Sequence, residues 1–325
     1  MEPPEPPPLR VSPPLGDKAK QLFSIYGMGE EEMTERLGLI GLGRMGRPIA
    51  ENLLQKGFPL TIFARREDVK QEIGALGAQV AGSPSEVAEH SDIIFLVVTD
   101  SSAVKDLLFG KKGIVHGASR GAAVVDMTTS DPRWSRKFEK RCAQRGLGYL
   151  DAPISGGVLG AKNAQLLIIV GGKQETYESC LPVFKAISKK TVHVGDAGSG
   201  HLMKLIHNQL THATYMACCE AVLFGKRLGL PMDLMVEVFN HGTARSYATE
   251  VRFPKFILPE NYNMGSSFST AYKDISIIRK LGTRARVKLP INDCTFRFYK
   301  HVLEAGKGDE DFSKSIREME DLLNK

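Results

Sequence analysis

No apolar run in this chain approaches the roughly 18 residues that a membrane-spanning helix needs, so no span is read and no membrane partner is expected. Cysteine is sparse and unpatterned. Cys142, Cys180, Cys218, Cys219 and Cys294 form no CxxC pair and their number is odd. That argues against a disulfide framework and for buried, unpaired thiols in a reducing compartment. The adjacent Cys218 and Cys219 lie in an apolar helical stretch and read as packing residues. Neither carboxylate nor cysteine accompanies His201, His207 and His212 at ligand spacing. No metal site is therefore expected, and these histidines read as surface or packing residues. The opening MEPPEPPPLRVSPPLG has no apolar signal core and no Arg- and Ser-rich amphipathic pattern, which leaves the cytoplasm as the default location. An excess of one charge is missing too. The 43 basic residues stand interspersed with 37 acidic ones, for a net +6. This suits an enzyme with anionic substrates, and no nucleic-acid partner is expected.

What is present is a soluble composition, 42% hydrophobic and 25% charged, over 325 residues, enough for two ordinary domains. Residues 1 to about 16 are dominated by proline, which sustains neither helix nor sheet, and read as a disordered tail. Residues 17–36 are polar with a few apolar positions, either a docking helix or more tail. From Leu37 onward, runs rich in Val and Ile alternate with amphipathic stretches. Strands are expected at 37–41, 60–64, 79–81, 93–98, 123–127, 149–152, 166–170 and 191–194, with helices at 45–56, 68–76 and 103–109 among the early ones. Such alternation predicts an α/β fold, a doubly wound parallel sheet of the Rossmann kind with helices on both faces. After Gly195 the strand pattern stops. Helices are expected at 201–228, 232–240, 249–257, 270–281 and 290–305. The predicted organisation is thus an N-terminal extension (1–36), a Rossmann domain (37–196) and an all-helical C-terminal domain (197–325) for substrate and subunit contacts.

Gly41-x-Gly43-x-x-Gly46 closes the first strand and opens the first helix, the context that gives this motif its meaning. Gly41 permits the tight turn, Gly43 lets backbone approach a pyrophosphate, and Gly46 allows close helix–strand packing. Leu42, Arg44 and Met45 complete the phosphate-binding turn, and the helix N-terminus faces the anion with its partial positive charge. An NAD site usually ends the second strand with Asp or Glu for the ribose hydroxyls. Here stand Ala64, Arg65 and Arg66. Two guanidinium groups suit a 2′-phosphate, so NADP(H) is favoured over NAD(H). Glu67 follows directly and would favour NAD(H) if the strand ended later.

Three further segments stand out. DMTTSDP (126–132) puts Thr128 and Thr129 at a strand end, where open α/β sheets meet their ligands. DAPISGG (151–157) offers backbone N–H groups and the Ser155 hydroxyl, a set suited to a carboxylate. Lys204 and Asn208 are four residues apart, on one face of the long helix.

With these pieces assembled, the chain resembles the β-hydroxyacid dehydrogenases, which include 3-hydroxyisobutyrate dehydrogenases, tartronate semialdehyde reductases and glyoxylate/succinic semialdehyde reductases. GLGRMG (41–46), DMTTSDP (126–132), DAPISGGVLGA (151–161), GHLMKLIHNQ (200–209) and YKD (272–274) occur in the family's order and spacing, covering the chain from about residue 37 onward. The resemblance implies hydride transfer between NADP(H) or NAD(H) and a small hydroxy acid, or its semialdehyde or keto partner. It makes Lys204 the catalytic lysine and Asn208 its companion on the substrate oxygen, with Ser155, Gly156 and Gly157 on the substrate carboxylate. Thr129 would touch the nicotinamide ribose, Lys273 would approach the cofactor from the helical domain, and Val97, Val98 and Thr99 would line the adenosine side. A homodimer or homotetramer is expected.

Each residue also has a plainer reading. Lys204 would be a solvated helix lysine, Lys273 with Asp274 a surface ion pair, and Ser155 a turn cap. Two departures are visible: Asn163, Ala164 and Gln165 where the family often has Gly-Thr, and the proline-rich extension. Arg245 is left between a second anionic group on the substrate and a partner subunit. The rival activities are imine reduction, against which Lys204 argues, and a non-catalytic dehydrogenase-fold module for binding or oligomerisation. The related phosphogluconate dehydrogenases have a longer helical region.

Overall fold

The computed structural model describes residues 35–323. The expected proline-rich tail and nearly all of the 17–36 segment lie outside them. The first strands are β1 (Leu37–Ile40), β2 (Leu60–Phe63), β3 (Gln79–Val80), β4 (Ile93–Leu96), β5 (Ala123–Asp126) and β6 (Gly148–Asp151). Parallel pairing in the order β3-β2-β1-β4-β5-β6 gives the Rossmann sheet, with Leu37 facing both Leu60 and Ile93 in register. The strands are almost wholly apolar because both sheet faces are covered. Leu37, Leu39, Phe95 and Val125 enter one core, while Ile40, Ile94, Leu96 and Val124 alternate into the other.

The helices α1 (Gly46–Gln55), α2 (Glu67–Ala75), α3 (Pro84–Glu89), α4 (Ser101–Phe109) and α5 (Pro132–Ala143) connect these strands. Beyond β6 the sheet becomes mixed, with both parallel and antiparallel pairs. A short β7 (Ile154–Ser155) is followed by α6 (Gly157–Lys162), β8 (Leu166–Gly172), α7 (Gln174–Ile187) and β9 (Ser188–His193). β8 runs antiparallel to both β6 and β7. A two-residue strand such as β7 carries no readable periodicity, which is why its pairing was invisible in the sequence. β4 also ends earlier than residue 98. Asp100 accepts hydrogen bonds from the backbone N–H groups of Ser102 (2.9 Å) and Ala103 (3.0 Å), capping α4 and turning the chain off the sheet.

The remainder is helical: α8 (Ser199–Arg227), α9 (Met232–His241), a π-helix (Ala248–Ile257), α10 (Phe268–Ala285), α11 (Pro290–Glu304) and α12 (Ser315–Leu323). The helical stretch expected at 249–257 is this π-helix. Pro254 lies inside it and can donate no backbone hydrogen bond there. A separate core of Leu205, Tyr215, Phe253, Ile275 and Tyr299 holds these helices together. Among the described residues no helix is long and apolar enough to cross a membrane.

Candidate active site

The first part of the site is the turn after β1. Gly41 has φ +106°, and a Cβ there would lie 2.2 Å from the carbonyl oxygen of Val97. At Gly46 a Cβ would sit 1.9 Å from the Gly41 oxygen, so the α1–β1 approach admits only hydrogen. Gly43, by contrast, faces open space. The N-terminus of α1 has no side-chain cap and no acidic residue in its first turn. An open cradle under an uncapped helix start fits a pyrophosphate. At the end of β2 the two arginines differ. Arg66 is held by Asp68, whereas the exposed Arg65 makes no bond to any described residue. Glu67 heads α2 and pairs with Lys70 at 3.0 Å.

The second part is the seating of α8. The buried carboxylate of Asp151 accepts hydrogen bonds from the N–H groups of Gly198 (2.7 Å) and His201 (2.8 Å), standing in for a side-chain cap. Burial pushes this carboxyl above its usual range, an effect opposed by those same donors. His201 is fully buried and lies 2.7 Å from the Ser135 hydroxyl of α5. A Cβ on Gly200 would lie 2.2 Å from the Asp151 carbonyl oxygen, so only glycine lets α8 come this close to β6. The first turn of α8 is thereby fixed to the sheet, and Lys204 follows on the next turn.

Lys204 is only 8% exposed and makes no hydrogen bond or ion pair among the described residues. It is therefore not a solvated surface lysine. Burial pulls its pKa down to about 8, against the upward pull of Asp274 and with a further push from Arg252. The Asn208 amide donates to Asp274 at 2.7 Å, and its carbonyl oxygen lies 3.3 Å from Nδ1 of His207. His207 Nε2 in turn lies 3.5 Å from the Ser155 hydroxyl at the end of β7. Gly156 (φ +128°) and Gly157 (φ +62°) carry the exposed turn into α6.

Lys273 donates to the carbonyl oxygens of Thr129 (2.5 Å) and Thr99 (3.1 Å), joining α10 to the ends of β5 and β4. Its ammonium is 3.3 Å from Asp274 Oδ1, an ion pair without hydrogen-bond geometry. Thr128, beside Thr129, keeps a buried hydroxyl with no partner among the described residues. A continuous run of contacts thus links Ser155, His207, Asn208, Asp274, Lys273 and Thr129, with Lys204 on the same face of α8.

Three features depart from the sequence reading. Asp274, 4% exposed, is a buried junction, so the plainer alternative of a surface ion pair with Lys273 does not hold. His207 belongs to this cluster, while His201 and His212 are packing residues as expected; His212 lies 2.8 Å from the Tyr299 hydroxyl. Of the five free thiols, Cys294 is exposed, so the expectation of buried cysteines holds for the other four. Arg245 is exposed and faces Glu250 at 3.5 Å.

Comparison with known proteins agrees with this geometry. Residues 36–195 match the family model described as the NAD-binding domain of 6-phosphogluconate dehydrogenase. Residues 198–319 match the one described as NAD-binding of NADP-dependent 3-hydroxyisobutyrate dehydrogenase. The 2-(hydroxymethyl)glutarate dehydrogenase of Eubacterium barkeri is 33% identical over 291 residues, covering 90% of this chain and 97% of that protein. The mitochondrial 3-hydroxyisobutyrate dehydrogenase of Mus musculus is 29% identical, covering 85% of this chain and 84% of that protein. In fold, the Mycobacterium tuberculosis 3-hydroxyisobutyrate dehydrogenase solved with L-serine superposes with a TM-score of 0.81 at 24% identity, covering 88% of this chain and 99% of that one. The dinucleotide cradle, the buried lysine of α8 and these matches along nearly the whole described chain place it in the β-hydroxyacid dehydrogenase family.

Proposed function

We infer that the chain is an NAD(P)-dependent oxidoreductase that interconverts a small hydroxy acid and its semialdehyde or keto acid. The observation that carries this reading is the isolated, buried ammonium of Lys204, held one turn beyond a helix start fixed to a dinucleotide-binding sheet. With a pKa near 8, it exists in both protonation states close to neutral pH, as an acid–base group that works in both directions must. In reduction it gives its proton to the developing alkoxide; in oxidation the neutral amine takes the hydroxyl proton. Asn208, with one amide N–H on Asp274, offers the other to the substrate oxygen. The Ser155 hydroxyl and the backbone of Gly156 and Gly157 receive the substrate carboxylate, with His207 steadying Ser155. A bound nicotinamide dinucleotide supplies or takes up the hydride. Gly41 to Gly46 would hold its pyrophosphate, Val97 to Thr99 its adenosine side and Thr129 its nicotinamide ribose. Lys273 braces the walls of that cleft through Thr99 and Thr129.

The preferred cofactor is NADP(H), with Arg65 as the principal clamp for the 2′-phosphate, because Arg66 is already committed to Asp68. The assay is absorbance at the reduced-nicotinamide band, with NADPH and NADH in parallel against glyoxylate, succinic, tartronate and methylmalonate semialdehydes. Consumption of NADPH with one of these is expected; consumption of neither cofactor would reject the activity. Arg65→Gln is expected to raise KM for NADPH by roughly tenfold to a hundredfold, the worth of a charge-assisted hydrogen bond or two. KM for NADH should stay within about twofold, and Arg66→Gln should matter less. Equal losses with both cofactors would remove Arg65 from 2′-phosphate recognition.

We further propose a cytoplasmic homodimer or homotetramer, with the Rossmann part ending near residue 196. Leu202, Met203, Ile206 and Leu210 leave an apolar stripe on α8, from 38% to 67% exposed, of the kind that a second copy covers. Sedimentation equilibrium should give a closed oligomer, and Leu210→Glu should shift it toward monomer. A wild-type monomer at micromolar concentration would refute this.

A further inference from the structure

Arg252, on the π-helix, is 8% exposed and faces no carboxylate within ion-pair distance among the described residues. Its only side-chain hydrogen bond among the described residues, from Nη1 to the carbonyl oxygen of Thr211, is long at 3.4 Å. The faces of Tyr215 and Phe312 lie 4.8 and 5.0 Å from its guanidinium carbon. Aromatic faces soften the burial of a cation, yet they do not use the five N–H donors of the fork. Nε and Nη2 make no hydrogen bond among the described residues, and each keeps a little exposed surface. A buried, half-spent guanidinium is a costly feature unless an anion arrives to complete it.

Its place in the fold says where that anion would be. Thr211 follows Lys204 by seven residues, two turns of α8 on the same face, a rise of roughly 10 Å. Between them stands His207, whose Nδ1 is 3.5 Å from the Thr211 hydroxyl and whose Nε2 is 3.5 Å from the Ser155 hydroxyl. The Arg252 charge depresses the pKa of both Lys204 and His207, although burial is the larger cause for each. The three groups therefore share one low-dielectric region. A second carboxylate a few carbons beyond the reacting one, hydrogen-bonded at each end, bridges a gap of about this length.

We infer that Arg252 receives a second anionic group on the substrate, so that this chain is tuned to hydroxy acids bearing two carboxylates. This rests on the reading of Lys204 and Ser155 as the substrate site. The other arginine on this side, Arg245, is exposed and faces Glu250, and so does not compete for the role.

The test uses the full chain loaded with NADP+. Calorimetric titration with glutarate and with butyrate compares a diacid and a monoacid of similar shape without requiring turnover. Initial rates are then measured with 2-(hydroxymethyl)glutarate and 3-hydroxyisobutyrate for wild type, Arg252→Lys and Arg252→Met. Glutarate should bind roughly tenfold to a hundredfold tighter than butyrate, the worth of one charge-assisted contact. The diacid should lead in kcat/KM by a similar factor. Arg252→Met should lower kcat/KM for the diacid by at least about tenfold more than for the monoacid, with Arg252→Lys in between. Equal binding of glutarate and butyrate, or a diacid preference that survives Arg252→Met, would overturn the inference. If neither hydroxy acid turns over while glutarate still binds more tightly, the proposed activity fails and the anion site stands.

Discussion

Lys204→Met is expected to lower kcat about a thousandfold, within the range that a positioned acid–base group contributes, and at the same time to make the protein more stable near neutral pH. The two effects share one cause. Met fills nearly the same volume but has no charge to desolvate. Burial brings the lysine from its ordinary value near 10.5 to about 8, which corresponds to a cost of about 3 kcal/mol for holding the ammonium in the folded state. The sign follows from proton counting. Below pH 8 the lysine is protonated both folded and unfolded, and wild type bears the whole cost. Between about 8 and 10.5 the unfolded chain binds the proton and the folded chain does not, so wild-type stability rises with pH across that window. The advantage of Lys204→Met should therefore be largest at pH 7 and shrink toward pH 10, as thermal unfolding at several pH values will show. Dinucleotide affinity, followed by fluorescence titration, should change little, because Gly41–Gly46 and Arg65 lie elsewhere in the fold. Near-normal turnover would take Lys204 out of the mechanism. A less stable variant at pH 7 would mean that the lysine is not buried at a cost.

The legibility of this molecule follows the range of its interactions. The glycine turn and the strands of the Rossmann sheet were readable because each is written in consecutive residues, and because strands covered on both faces are apolar throughout, as at Ile93–Leu96. Lys204 and Asn208 could be placed on one helix face because four-residue spacing in a helix is itself a spatial statement, whereas the roles expected of them came from the family resemblance. Asp274 was in view within the YKD triplet, but its burial depends on α10 packing against α8, which no local pattern reveals. Arg252 had no signal at all. Its surroundings come from Thr211 and Tyr215 on α8 and from Phe312, sixty residues away in sequence. Likewise, an antiparallel β8 between β6 and β7 is decided by a two-residue strand and a short helix rather than by any periodicity.

Asp274 joins Asn208 of α8 to Lys273, which in turn bonds Thr99 and Thr129 beyond β4 and β5, and its replacement should show how far this cluster acts as one electrostatic unit. The carboxylate accepts from Asn208, stands beside Lys273 and pulls the Lys204 pKa upward. Asp274→Asn keeps the shape and an oxygen for the Asn208 amide but removes the charge. The Lys204 pKa should then fall below its present value near 8, since burial and Arg252 both push it down and nothing named in the site opposes them. The direction of the kinetic change depends on which form each reaction needs. Reduction uses the protonated lysine, so its activity should begin to fail at lower pH, with a loss of roughly tenfold to a hundredfold at pH 7.5. Oxidation uses the neutral amine, so the rising limb of its pH profile should move to lower pH and the loss at pH 7.5 should be smaller. Asp274→Ala removes the acceptor as well, frees Asn208 and should depress both directions further. Profiles of kcat against pH in the two directions separate these cases. If Asp274→Asn lowers both directions equally with no movement of either limb, the carboxylate serves packing alone and does not hold the Lys204 pKa up.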